Sequence, residues 1–202
     1  MQTIANKILY RVRGKGGGSV QITRDFLDLG TRSAVDQALS RLVQRGDLRR
    51  LDPGMYHFPK RHPRLGILSP DPVVVAQAAA RKAGSRLQIS GAQAAHTLGM
   101  TTQVPARLVY LTDGPSKQIR LGTQMIELRH AAPKNLTGAG RKSGVVIQAL
   151  RHLGRKAVDD AVIQKLQMTL SAEDKAVLQR DVVTAPDWIK SVVAKVIAGE
   201  PS

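Results

Sequence analysis

Residues 23–58 read TRDFLDLGTRSAVDQALSRLVQRGDLRRLDPGMYHF, and no other stretch restricts the fold as strongly. Gly30-Thr31 separates a short helical segment, Arg24–Leu29, from a longer one, Arg32–Arg45, and Gly46 stops the second. Asp52-Pro53-Gly54 then carries strong turn chemistry between two strand-like runs, Leu48–Leu51 and Met55–Phe58. Thr23 stands where an N-cap belongs. Two helices joined by a tight turn and followed by a hairpin follow the order of a winged helix-turn-helix. That fold is expected for the N-terminal third.

The longer helix sorts by angle. At about 100° per residue, Val35, Ala38, Leu39 and Leu42 fall on one side. Ser33, Gln37, Ser40 and Gln44 fall on the other, with Arg41 at its edge. The apolar side suits packing against neighbouring helices. A merely solvated face would usually carry Glu and Lys, and this one has neither. Its hydroxyl, amide and guanidinium groups match base edges and phosphates in a DNA major groove. Arg49 and Arg50 on the hairpin are placed to reach the backbone or the minor groove, and Lys60, Arg61 and Arg64 extend the basic strip. Asp36, on the flank of the helix, is expected to be solvated or salt-bridged.

Charge points the same way. The chain holds 31 Lys+Arg against 15 Asp+Glu, a net charge of +16, which favours a polyanionic partner. Residues 1–64 hold 13 basic and 5 acidic side chains, residues 65–133 hold 7 and 3, and residues 134–202 hold 11 and 7. Half of the excess therefore lies in the third that carries the helix-turn-helix pattern. The absence of cysteine removes disulfides, thiolate zinc sites and cysteine nucleophiles. No apolar run approaches the ~20 residues of a membrane span, and the first residues have no continuous apolar core of a secretory signal. A cytoplasmic protein with no membrane partner is expected.

Elsewhere the chain alternates helix and strand signals. Ile4, Ile8 and Val12, with Leu9 beside them, form a helical stripe. Gly14–Ser19 lacks P-loop spacing and reads as a flexible connector, and Val20-Gln21-Ile22 reads as a strand that pairs with the wing. Pro59, Pro63, Pro70 and Pro72 mark a stiff linker. Beyond it come a helix Val73–Ala83, strands at Arg86–Ile89 and Arg107–Thr112, a short helix Gly91–Leu98, and a hairpin of Lys117–Leu121 and Gln124–Arg129. Ala131–Gly144 reads as a loop or linker, and helices follow at Val145–Leu153, Val158–Leu170, after the capping-box spacing Ser171–Asp174, and after Thr184-Ala-Pro-Asp187. Trp188 is expected to anchor helix packing. The class is α+β, in three parts: a winged helix-turn-helix at 1–64, a small α+β domain at 65–133, and a linker with C-terminal helices at 134–202.

No catalytic site is expected. His96 and His130 with Asp113 or Glu127 have no spacing that demands acid–base chemistry, and HExxH and Ser–His–Asp patterns are missing. His57 and His62 lack the partners of a metal site, and Asp159-Asp160 point to different sides of a helix. No cofactor is implied. A basic surface alone would also suit RNA, but only 3% of residues are aromatic, few for base stacking.

The winged-helix stretch LGTRSAVDQALSRLVQRGDLRRLDPGMY, the following SPDPVVVAQAAARKAG and the run VPARLVYLTDGPSKQIRLG together resemble the AbiEi-type antitoxins of type IV toxin–antitoxin systems. More narrowly, they are similar to bacterial proteins grouped beside those antitoxins. The resemblance covers roughly residues 2–130 and the tail around Ala185–Trp188. It implies a repressor of its own operon, encoded next to a nucleotidyltransferase toxin. It further implies an inverted-repeat operator read by Ser33, Gln37, Ser40, Arg41 and Gln44, with Arg32, Arg49 and Arg50 as phosphate clamps. In the alternative reading, a protein-interaction antitoxin binds the toxin directly through its C-terminal region.

Overall fold

Helix α1 (Ile4–Lys15) begins at Thr3, whose Oγ1 accepts the Asn6 amide at 3.3 Å. It buries the expected stripe, Ile8, Leu9 and Val12. The structure, a computed structural model, describes residues 3–199. Strand β1 (Val20–Ile22) follows, and then Thr23–Leu29, which forms a 3₁₀ helix rather than an α-helix. Thr23 is not its cap. The Thr23 hydroxyl is buried without a hydrogen-bond partner, and the Asp25 carboxylate instead accepts the Ile22 amide at 3.0 Å. Seven residues are too few to sustain an α-helix unaided, so this segment takes its shape from tertiary contacts, chiefly the fully buried Phe26.

Helix α2 (Arg32–Gln44) is capped by Thr31, whose Oγ1 accepts the Ala34 amide at 3.3 Å, and it buries Val35, Ala38, Leu39 and Leu42. Strands β2 (Arg49–Asp52) and β3 (Met55–His57) turn at Pro53-Gly54. Gly54 sits at φ +70, where any side chain would strain the backbone. The three strands form one antiparallel sheet of order β1-β3-β2, with Tyr56 between Gln21 and Arg50. The register shifts between Arg50 and Asp52, so the hairpin carries an irregularity at Leu51. Phe26, Val35, Leu39, Leu42 and Leu48 join the α1 stripe in one core. Each large apolar side chain so buried contributes about 1.5–3 kcal/mol.

The segment expected as a proline-stiffened linker contains a small hairpin, β4 (Arg61–His62) paired with β5 (Gly66–Ile67). His62 Nδ1 accepts the Arg64 and Leu65 amides at 3.2 and 3.3 Å, which closes the turn. Helix α3 (Pro72–Ala83) starts at Asp71 and ends at Gly84 with φ +64. It buries Val75, Ala76 and Ala78–Ala80.

The chain divides into two compact units, Met1–Gly84 with Gln118–Ile126, and Ser85–Lys117 with Glu127–Ser202. Helix α3 falls with the first of these units, where its apolar face packs beside β1.

The second unit opens with β6 (Leu87–Ile89), α4 (Gly91–Thr97) and β7 (Leu108–Thr112). Strands β8 (Lys117–Leu121) and β9 (Gln124–His130) follow, and residues 118–126 of this hairpin fall in the first unit. Residues 131–144, expected as a loop or linker, are packed. A 3₁₀ turn at Pro133–Leu136 buries Leu136, and Ser143 and Gly144 are buried where α5 (Lys142–Leu153) begins. Helices α6 (Asp160–Thr169), α7 (Ala172–Asp181) and α8 (Asp187–Ala198) follow. The Ser171–Asp174 capping box forms, each partner accepting the other's amide at 3.1 Å. One core joins Ala94 and Ala95 of α4 to Val146, Ile147, Leu150, Leu166, Leu178, Ile189, Val193 and Val196. Trp188 packs against it partly buried, as a helix anchor should. Helix α4 and the helical tail therefore share one core, because α4 lies on α5. The class is α+β. Among the described residues, no helix is long and apolar enough to cross a membrane.

Candidate nucleic-acid interface

The crest of α2 is set by its buried side. With Val35, Ala38, Leu39 and Leu42 in the core, Ser33, Gln37, Ser40 and Gln44 are forced outward, and all four are exposed. A groove runs along each flank. One, of about 600 Å³, is lined by Thr3, Ile4, Gln37, Arg41, Gln44 and Arg45. The other, of about 450 Å³, is lined by Arg32, Asp36, Ser40, Arg50, Tyr56 and Lys82. Together they take in six of the eight residues singled out by the sequence. Ser33 and Arg49 line neither groove but are also exposed.

The cations around the crest are not equivalent. Arg32 Nε donates to Asp36 Oδ2 at 2.8 Å, one helical turn along, which gives Asp36 the salt bridge expected of it. An exposed pair of this kind is worth well under ~1 kcal/mol, so Arg32 can exchange it for another anion. Arg45 pairs with Asp47 at 3.0 Å. Arg41, Arg49 and Arg50 have no carboxylate partner among the described residues and are exposed. Three guanidinium groups thus flank a face of hydroxyls and amides, an arrangement able to hold phosphate oxygens while hydrogen-bonding to flat polar edges.

The scaffold beneath is braced by Arg11 of α1. Its guanidinium donates to both Asp28 carboxylate oxygens, at 2.7 and 2.6 Å, and to the Asp25 carbonyl at 2.6 Å. It also lies 6.0 Å from the centroid of the Phe26 ring. These contacts hold the 3₁₀ helix against α1. The hydrogen bond from Arg11 pulls the Asp28 carboxyl below its usual pKa, and Asp28 in turn raises that of Arg11.

His57 lies on the central strand of the sheet, fully buried, and neither ring nitrogen has a hydrogen-bond partner. Burial first, and the Arg49 charge second, hold its pKa below the ordinary 6.5. The unfolded chain takes up a proton near pH 6.5 that the folded strand refuses. The stabilising difference is complete at neutral pH and is lost as pH falls through that value. Urea unfolding should therefore give a stability that drops between pH 7.5 and 5.5, and His57→Leu should flatten that drop. An equally steep profile in the variant would remove His57 as its source.

The residues considered for acid–base chemistry lie in the second unit, and their acids are occupied. Asp113 accepts from the Arg86 amide at 2.7 Å and from its Nε at 2.8 Å, and the Arg86 hydrogen bonds lower its pKa. Glu127 pairs with Arg129 at 3.0 Å, and His130 Nδ1 lies 3.0 Å from the Gly114 carbonyl oxygen.

Two side chains at the crest are not marked by any pattern in the sequence. Arg45 lines a groove although its position reads only as a helix end. Lys82 meets Asp52 across 30 residues of sequence, a separation over which no local pattern announces a contact.

Fold and surface together define an α+β chain whose first unit displays a polar, cation-flanked helix. The chain belongs to DUF6088, a family of unknown function, whose model matches residues 7–178. The match starts within α1 and ends within α7, so it takes in both units. Comparison with curated proteins finds no match.

Proposed function

We propose that the stretch up to Gly84 in the first unit is a winged helix-turn-helix that reads duplex DNA, and that the chain is a transcriptional repressor. The observation carrying this reading is the exposed crest Ser33, Gln37, Ser40 and Gln44, with Arg41, Arg49 and Arg50 uncompensated beside it. The element order supports it: helix, strand, short helix, longer helix, two strands, in a sheet ordered β1-β3-β2. In this reading α2 lies in the major groove, where Gln37 and Gln44 can pair with adenine edges and the serines with any base. The β2–β3 hairpin is the wing that grips phosphates. The role is binding in the cytoplasm, without catalysis.

The resemblance to AbiEi-type antitoxins extends the proposal. The chain then represses its own operon and opposes a nucleotidyltransferase toxin encoded beside it. A gel shift on the DNA upstream of its own gene tests the first step. Retarded upstream DNA and unretarded scrambled DNA are expected, and equal affinity for both would defeat sequence-specific reading. Gln37→Ala should cost on the order of 1–3 kcal/mol, confined to particular base positions. A loss spread evenly over all sequences would show that α2 does not read bases.

A further inference from the structure

The last turn of α3 is tied to the DNA-facing surface by side chains whose role no sequence pattern assigns. Lys82 Nζ donates to Asp52 Oδ2 at 3.1 Å and to the Pro53 carbonyl, so it holds the β2–β3 turn at two adjacent points. Arg81 reaches the other side of the same unit. Its NH1 donates to Asp25 Oδ1 at 3.3 Å and its NH2 to the Val20 carbonyl at 3.2 Å. The Asp52 side chain is only 14% exposed and that of Lys82 38%, so the carboxylate is the shielded end of the pair.

We propose that Lys82 is a positioning residue for DNA binding, a latch from α3 that fixes the wing and thereby Arg49 and Arg50. The inference rests on the winged-helix reading above. Strand β2 is the edge of the three-stranded sheet, paired on one side only, and its register breaks beside Arg50. Its arginines could therefore sample many positions unless the turn is held. Lys82 holds it through Asp52 and Pro53, and its charge is already answered by that carboxylate. It acts through the wing and does not itself neutralise a phosphate. The DNA-binding module consequently includes α3.

The test uses the full chain with Lys82→Met, Asp52→Asn, their combination, and Lys82→Arg. In Lys82→Met, amide exchange across residues 49–57 should accelerate about tenfold, while amides of α1 and α2 keep their protection. Affinity for the upstream DNA should fall about tenfold, with the salt slope unchanged. The double variant should be no worse than the worse single one, since both remove the same interaction. Lys82→Arg, which keeps a donor, should restore exchange and affinity together. Unchanged exchange in Lys82→Met overturns the latch. A salt slope reduced by about one with exchange unchanged would make Lys82 a phosphate ligand instead. Faster exchange with wild-type DNA affinity would remove the latch from DNA binding. If the unaltered chain ignores its upstream DNA while exchange still accelerates, the DNA-binding reading fails and the latch is only a fold contact.

Discussion

Gly144→Ala is expected to destabilise the second unit by about 3 kcal/mol, the upper range for forcing atoms into a filled site. Gly144 lies in the first turn of α5, where a Cβ would overlap the Gly138 carbonyl oxygen and come 2.5 Å from Gln88 Oε1. Neither neighbour is a yielding side-chain tip in open water. The first is backbone, held in a segment where the Arg141 amide donates to that same Gly138 carbonyl at 2.9 Å. The second belongs to a side chain buried on β6. Chemical denaturation of the variant measures the effect. A loss under about 0.5 kcal/mol, the range of an ordinary surface change, would mean that residues 131–144 are the loose connector their composition suggests.

Removal of Arg49 and Arg50 together is the second large effect. If the hairpin grips phosphates, the double alanine variant should bind every duplex more weakly, upstream or scrambled. Its dependence of log affinity on log salt should become shallower by about two, one for each phosphate that is no longer neutralised. The wing should keep its structure, since both side chains are exposed and neither meets a carboxylate among the described residues. Anisotropy titrations at several salt concentrations measure both quantities. A retained slope would place the hairpin away from DNA, whereas loss of preference with retained slope would make these arginines base readers.

The two expectations differ in how they could be reached. Arg49 and Arg50 are neighbours on a hairpin announced by Asp52-Pro53-Gly54, so their placement followed from turn chemistry. The outward crest of α2 followed from periodicity, because a helix that buries Val35, Leu39 and Leu42 must present Ser33, Gln37 and Ser40 to solvent. Gly144 offered no such cue. Gly-rich, proline-containing segments read alike whether glycine serves freedom or close approach, and only a neighbour 56 positions earlier, Gln88, separates the two cases. At the 3₁₀ helix the cue was local but was read one residue late. A threonine ahead of a helix is a reasonable cap, but here the helix starts at Thr23 itself and Asp25 accepts the amide of Ile22 before it.

The amino-acid order alone determined the helices α1, α2, α3 and α8, the β2–β3 hairpin, and which side of α2 faces out. These depend on interactions within a few residues: spacing of apolar side chains, caps, and the backbone freedom of glycine. Tertiary structure decided that α3 belongs to the first unit, that α4 and the C-terminal helices share one core, and that Lys82 meets Asp52 beside the β2–β3 turn. Those outcomes depend on pairs brought together across tens of residues, Lys82 with Asp52 and α4 with α5, and pairing at that distance leaves no periodic trace in the chain.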